Sequence, residues 1–283
     1  MSSNPSQARF EVGIEEKSSL LDNELKLRLG DGLVVAFSGG VDSALLLWAA
    51  EQERKRSGGR LLALTTTSAS FSEVERRDVA EFVAEHGIEH RWVESQELAD
   101  PAYLINDLSR CFHCKSELFR ICHEAAAERG LKWVAYGYNA SDGGDFRPGH
   151  QAALENGVLS PLADAGLTKD DIRQLLRTNG ISLSDKPASP CLSSRLMTGV
   201  QITSKKLKEV EELESVLRNA GVRVFRVRVH ESNGNRFARI EVAPEELELA
   251  FSIRCEITTT ARRLGYRWAT LDLDGYRTGG ANA

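Results

Sequence analysis

Short apolar runs alternate along the first two thirds of the chain with longer stretches whose apolar residues recur at helical spacing. The runs at 33–37, 60–65, 89–93 and 132–136 read as buried strands. Between and around them the periodicity predicts helices. One spans 15–29, with leucines at 20, 21, 25, 27 and 29, and Gly30 as its stop. A second spans 43–56 and ends at Ser57-Gly58-Gly59. Ser72 and Glu75 form a capping box for a third, running to about His86 with Gly87 as its stop. Others cover 115–129, closed by Gly130, and a stretch opened by Thr168 and Asp171 that ends at Asn179-Gly180. Residues 1–14 read as a loose arm. The stretch 181–200 reads as irregular, and a loop that long in an enzyme is commonly functional.

Strands alternating with helices imply a parallel, doubly wound sheet whose ligands lie at the carboxyl ends of its strands. Past residue 201 the order changes to helix 204–219, strands 222–229 and 236–242, helix 245–264 opened by Pro244, and strand 266–273. The expected fold class is therefore α/β, a doubly wound parallel sheet over 1–200, followed by a small α+β domain over 201–283. A split ferredoxin-like sheet is the form expected for the latter.

The first strand ends in Ser38-Gly39-Gly40-Val41-Asp42-Ser43 and leads straight into a helix. Unpaired backbone N–H groups and the positive helix end then converge on one point, which favours an anion. Glycines let a phosphate approach the backbone, and the two serines add hydroxyls. The spacing is neither GxxxxGK[ST] nor GxGxxG. The ATP-binding set read here is Ser38, Gly39, Gly40, Val41, Asp42 and Ser43, with Thr67 past the second strand and Gly137 past the fourth. Asp42 and either Asp142 or Asp145, in the turn-rich segment 136–149, are candidate magnesium carboxylates.

Cysteine chemistry supplies the second theme. Cys191 lies in Asp185-Lys-Pro-Ala-Ser-Pro-Cys-Leu-Ser-Ser-Arg195, between prolines and hydroxyls with Lys186 and Arg195 nearby, and cations favour a nucleophilic thiolate. Cys111 and Cys114 form a CxxC at the start of a helix. With Cys191 they make three thiolates, enough for a [4Fe-4S] cluster with one open iron. A redox pair, or a zinc site completed by His113, His123 or His150, are the alternatives. Cys122 and Cys255 read as core residues. Arg226 and Arg228 alternate onto one face of a strand, about 7 Å apart, a spacing suited to clamping a phosphate or carboxylate.

Composition narrows the partners. With 283 residues, 41% hydrophobic and 27% charged, the chain has the make-up of an ordinary globular protein. A net charge of -5 disfavours a broad nucleic-acid footprint. No run approaches the length of a membrane span, and the polar start lacks a signal peptide's apolar stretch, so a cytoplasmic protein is expected. Five cysteines there are better read as thiols or ligands than as disulfides.

SGGVDS resembles the PP-loop of the ATP pyrophosphatases (the adenine nucleotide alpha hydrolase fold), which implies cleavage of ATP between the α and β phosphates. Together with YGYNASDGGDFRPG, SPLADAGLTKDDIR, KPASPCLSSR and LDLDGYRTGG, it makes the chain resemble the LarE family over nearly its whole length. That family comprises ATP-dependent sulfur transferases of nickel-pincer nucleotide cofactor biosynthesis. The resemblance implies adenylation of a carboxylate of a pyridinium dicarboxylate mononucleotide, then sulfur transfer to give a thiocarboxylate, in a homo-oligomer. Cys191 matches the cysteine whose own sulfur is surrendered in sacrificial members; Cys111, Cys114 and Cys191 match the cluster of the others, the form favoured by their joint presence. Arg195 joins Cys191 in the expected catalytic set, and Arg226 and Arg228 match the strand expected to bind the substrate phosphate. A tRNA thiolase, an ammonia-using PP-loop synthetase and a non-catalytic nucleotide-binding module are the competing readings; ATP pyrophosphatase activity excludes the last.

Overall fold

A computed structural model of the chain describes residues 13–144, 148–187 and 190–277. The arm over 1–12, Asp145 and the closing Gly-rich segment lie outside the described residues.

Helix α1 (Ile14–Asp31) precedes strand β1 (Leu33–Ala36), which passes through the phosphate loop into α2 (Val41–Ser57). Then follow β2 (Leu61–Thr67), α3 (Glu73–His86), β3 (His90–Glu94), the short α4 (Pro101–Leu104), α5 (Arg110–Glu128) and β4 (Trp133–Tyr136). Helices α6 (Pro148–Glu155), α7 (Pro161–Asp164) and α8 (Lys169–Thr178) complete the first layer system. All four strands are parallel, in the order β3-β2-β1-β4. Side chains alternate across a strand, so Leu33 and Val35 enter one core with α1, α2, α3 and α8. Val34 and Ala36 enter the other, against Phe119, Cys122 and Ala126 of α5 and Ala152 and Ala153 of α6. Being buried on both faces is why these strands read as continuous apolar runs.

Successive strands leave β1 in opposite directions, towards β2 on one side and β4 on the other. A crevice therefore opens at their carboxyl ends, where ligands bind in such sheets.

The second sheet follows α9 (Ser204–Asn219): β5 (Phe225–Ser232), β6 (Asn235–Val242), α10 (Leu247–Ser252), α11 (Arg254–Arg263) and β7 (Trp268–Leu271). Asn233 and Gly234, with φ of 50° and 73°, form the two-residue turn between β5 and β6. β7 lies parallel and directly beside β6, so no strand splits that crossover and the expected ferredoxin-like arrangement is not what forms. The core of this half also takes in Tyr103, Leu192 and Leu196, from upstream of residue 201.

Two further differences are local. The single helix expected over 245–264 breaks at Ile253, which turns Cys255 outward; it is exposed rather than core, while Ile257 and Ala261 face inward. Helix α5 begins at Arg110, earlier than its apolar periodicity indicates, because the Asp107 carboxylate accepts from the N–H and hydroxyl of Ser109 and anchors the start.

Candidate active site

The phosphate loop is folded by its own hydroxyls. Ser43 Oγ donates to Gly40 O (3.0 Å) and accepts from Ser38 N (3.3 Å), and Gly40 N donates to Ser38 Oγ (3.4 Å). Gly39 has φ +72° and a side chain there would lie 2.8 Å from Val79 of α3, so neither conformation nor space admits another residue. Gly137, just past β4, is equally constrained: a Cβ would fall 2.6 Å from Ser43 N and 2.9 Å from the Asp42 carbonyl carbon. The two strand ends that flank the crevice thus touch backbone to backbone. Thr67 ends β2 on the same edge, its carbonyl accepting from Ser95 N (2.8 Å).

Two lysines that sequence reading did not assign to this loop reach it from later elements. Lys169, at the start of α8, holds both carboxylate oxygens of Asp42 (2.8 and 2.6 Å). Lys186 donates to Gly39 O (2.8 Å) and pairs with Asp78 of α3 (2.7 Å). A lysine that opens a helix ahead of two aspartates, and one that precedes a Pro, carry no pattern that points to a loop far upstream. Asp142 accepts from the side-chain amide of Asn139 (2.8 Å), a turn-closing contact.

Cys191 lies on the same edge, because Leu192 N donates to Ser70 O (2.9 Å) in the loop after β2. The cations next to it differ from expectation. Lys186 is engaged with the phosphate loop, and the buried Arg195 pairs with Glu214 of α9 (2.8 Å) and donates to the carbonyls of Pro190 and Cys191. Arg195 therefore holds the loop's backbone. Arg110 is the cation set against the thiols: its guanidinium donates to Asn106 Oδ1 (2.6 Å) and Ser193 O (3.1 Å) and approaches Cys111 Sγ (3.7 Å). Burial pushes the Cys191 thiol up, Arg110 opposes that rise, and Cys111 and Glu97 add to it. Cys114 is pushed higher still, by burial and then by the adjacent Glu97 carboxylate. Glu97, itself buried, accepts from Ser68 Oγ and Ser70 Oγ (both 2.5 Å).

Cys111, Cys114 and Cys191 are thus neighbours, yet among the described residues no three Cys, His, Asp or Glu side chains converge as a metal-holding group. The histidines considered for zinc are engaged elsewhere. His150 Nδ1 shares a hydrogen bond with Tyr136 (2.7 Å), His123 meets Asn156 O (2.9 Å), and His113 faces Asp100 (3.6 Å).

Arg226 and Arg228 do share a face of β5, and that face is covered. Arg228 pairs with Glu241 (3.0 Å) and donates to Ser194 O (2.9 Å), and Arg226 lies over the Tyr276 ring (5.0 Å). Burial, then the nearby Arg195 charge, lowers the Arg226 pKa. Both arginines back the segment that follows Cys191.

A protein of Lactiplantibacillus plantarum named pyridinium-3,5-bisthiocarboxylic acid mononucleotide synthase is 30% identical over 88% of this chain and 88% of its own length. This chain belongs to the LarE family of sulfur transferases. Uncharacterized proteins of Synechocystis (38% identity, 89% of this chain and 92% of that protein) and Methanocaldococcus jannaschii (26%, 91% and 96%) are similar over comparable spans. No family model matches the chain. The family assignment agrees with the parallel sheet and its loop. Among the described residues, no helix is long and apolar enough to cross a membrane.

Proposed function

We propose that this enzyme uses ATP to adenylate a carboxylate of a pyridinium dicarboxylate mononucleotide and converts it to a thiocarboxylate in nickel-pincer nucleotide biosynthesis. One observation carries the reading: Lys186, in the segment leading to Cys191, is hydrogen-bonded to Gly39 of the phosphate loop. An activating loop and a nucleophilic thiol belong to one site.

The substrate carboxylate attacks the α phosphorus, and pyrophosphate leaves against the loop amides and the positive start of α2. Asp42, whose two oxygens Lys169 holds, is the carboxylate that would bind magnesium carried by the phosphates, and that ion would supply charge stabilisation. Cys191 then attacks the acyl carbon as its thiolate, forming a thioester and releasing AMP. Loss of the Cys191 α proton breaks its Cβ–S bond, the electron pair leaves with sulfur as the thiocarboxylate, and dehydroalanine remains. Cys111, Cys114 and Cys191 are donors of the right kind for a [4Fe-4S] cluster, but as placed they do not converge, so no step here runs through one. Arg226 and Arg228 form the cationic wall behind Cys191 on the substrate-phosphate side, in the domain over 201–283. Five free thiols suit a reducing cytoplasm, and the family resemblance supports a homo-oligomer as the functional unit.

The test uses full-length protein purified anaerobically, with ATP, magnesium and the pyridinium dicarboxylate mononucleotide. Pyrophosphate release is expected in wild type and in Cys191→Ala, and thiocarboxylate formation in wild type alone. Intact mass after turnover is expected to show loss of the elements of H2S at Cys191. Normal sulfur transfer by Cys191→Ala overturns the assignment. Iron with labile sulfide and an unchanged Cys191 mass replaces the sacrificial step by a cluster-bound sulfide.

A further inference from the structure

Past β4 the chain builds an aromatic stack that the chemistry above does not use. The Tyr138 and His150 rings lie face to face, 3.9 Å apart and 4° from parallel. Tyr136, 21° from parallel to Tyr138, is joined through its hydroxyl to His150 Nδ1 (2.7 Å). Tyr136 and His150 therefore form a hydrogen-bonded floor of two rings under Tyr138. Phe119 of α5 braces Tyr136 edge-on, with centroids 5.2 Å apart. Tyr136 is buried, whereas Tyr138 and His150 are only partly so.

The position of this stack distinguishes it from ordinary core packing. Gly137, between the two tyrosines, is the residue whose backbone touches Asp42 and Ser43 of the phosphate loop. Gly149, beside His150, lies against Lys115 of α5, where a Cβ would come 3.1 Å from Lys115 Cγ and 3.7 Å from Cys111 O. One end of the stack thus adjoins the loop where the acyl group is activated, and the other adjoins the cysteine helix.

We propose that Tyr138, seated on His150 and Tyr136, is the platform on which the cationic pyridinium ring of the substrate stacks. This rests on the function proposed above and names the residues that select its ring. A ring carrying positive charge is attracted to the face of an electron-rich aromatic, more so when water is excluded. A substrate held there has its carboxylate between the phosphate loop and the thiols, the position that positioning catalysis requires. The hydrogen bond between His150 Nδ1 and the Tyr136 hydroxyl fixes that ring in plane and keeps Tyr138 parallel to it.

Nicotinic acid mononucleotide, a pyridinium nucleotide, is the probe, because a pyridinium stacked on a phenol gives a charge-transfer absorption independent of turnover. Wild type and Tyr138→Phe are expected to bind it and show the near-ultraviolet shoulder; Tyr138→Leu is expected to lose the shoulder and bind about tenfold more weakly. In pyrophosphate release, Tyr138→Leu is expected to raise the KM for the pyridinium dicarboxylate about tenfold and leave that for ATP unchanged. A raised KM for ATP alone assigns the stack to adenine and overturns the proposal. Equal probe binding by all three proteins reduces the stack to packing and also overturns it. If the shoulder appears as expected but no pyrophosphate is released, the platform stands and the proposed reaction fails.

Discussion

Arg110 and Asn106 show how one buried amide organises the cysteine loop. Asn106, with φ of 58°, donates to the carbonyls of Met197 (3.0 Å) and Val200 (2.9 Å) while its oxygen accepts from Arg110. That leaves the guanidinium facing Cys111 and the Cys191 loop. Because burial raises the Cys191 pKa and Arg110 opposes it, Arg110→Met is expected to raise it further. Iodoacetamide alkylation of Cys191 should then fall about three- to tenfold at neutral pH, with its pH profile moved upward. An unchanged profile would show that Arg110 acts on the loop backbone alone. The cysteines and the need for a cation were legible in the residues, but which cation was not. Lys186 and Arg195 are nearer in sequence, whereas the fold spends them on Gly39 and Glu214.

At the scale of elements, the β1–loop–α2 unit and its contact with the end of β4 shape the proposed phosphate site. Gly137→Ala would drive a methyl into Ser43 N at 2.6 Å and force the two strand ends apart. A cost of about 1–3 kcal/mol in urea unfolding is expected, with ATP affinity lowered tenfold or more by calorimetry. Unchanged ATP binding would show that the contact is not needed to shape the loop. The strand itself is braced from the far side: Thr65 gives its only hydroxyl proton to Phe37 O (2.6 Å), so His90 Nε2, 2.8 Å away, is the donor to Thr65. Periodicity located these strands and the capped helix starts because apolar alternation and capping are local. It joined 245–264 into one helix because nothing in local spacing reveals the turn at Ile253 that tertiary packing imposes.

For the whole molecule, the Cys191 loop is bonded to the loop after β2 through Leu192 N and Ser70 O, and buried charge ties it to the second sheet. Glu214 of α9 binds Arg195 and also accepts from Val227 N (3.2 Å), and Arg228 ties β5 to Ser194. Removing one partner leaves the other charged and buried, so Glu214→Ala is expected to cost about 3–5 kcal/mol. Calorimetry should show the two halves melting less cooperatively; a single unshifted transition would refute that coupling. Acid should also destabilise the molecule. Burial lowers His90 to about 4, below its ordinary value of 6.5. The unfolded chain binds that proton first, so this stability is full above pH 6.5 and drains as pH falls towards 4. His90→Gln should flatten that limb of a urea-midpoint profile, and an unaltered slope would assign it to two other half-buried histidines, His86 and His230, whose pKa values burial also lowers.

From the chain alone came the parallel sheet, the Gly-rich loop after β1, the candidacy of Cys111, Cys114 and Cys191, and the family resemblance, since each is written in local pattern or contiguous motif. Only the tertiary structure decided that Lys169 holds Asp42, that Arg110 faces the thiols, that Arg228 is bonded to Ser194 of the Cys191 loop while Arg226 lies over Tyr276, and that Tyr138 stacks on His150. These pairings join residues far apart in sequence. They depend on where whole elements pack, which the spacing of residues within any one element does not encode.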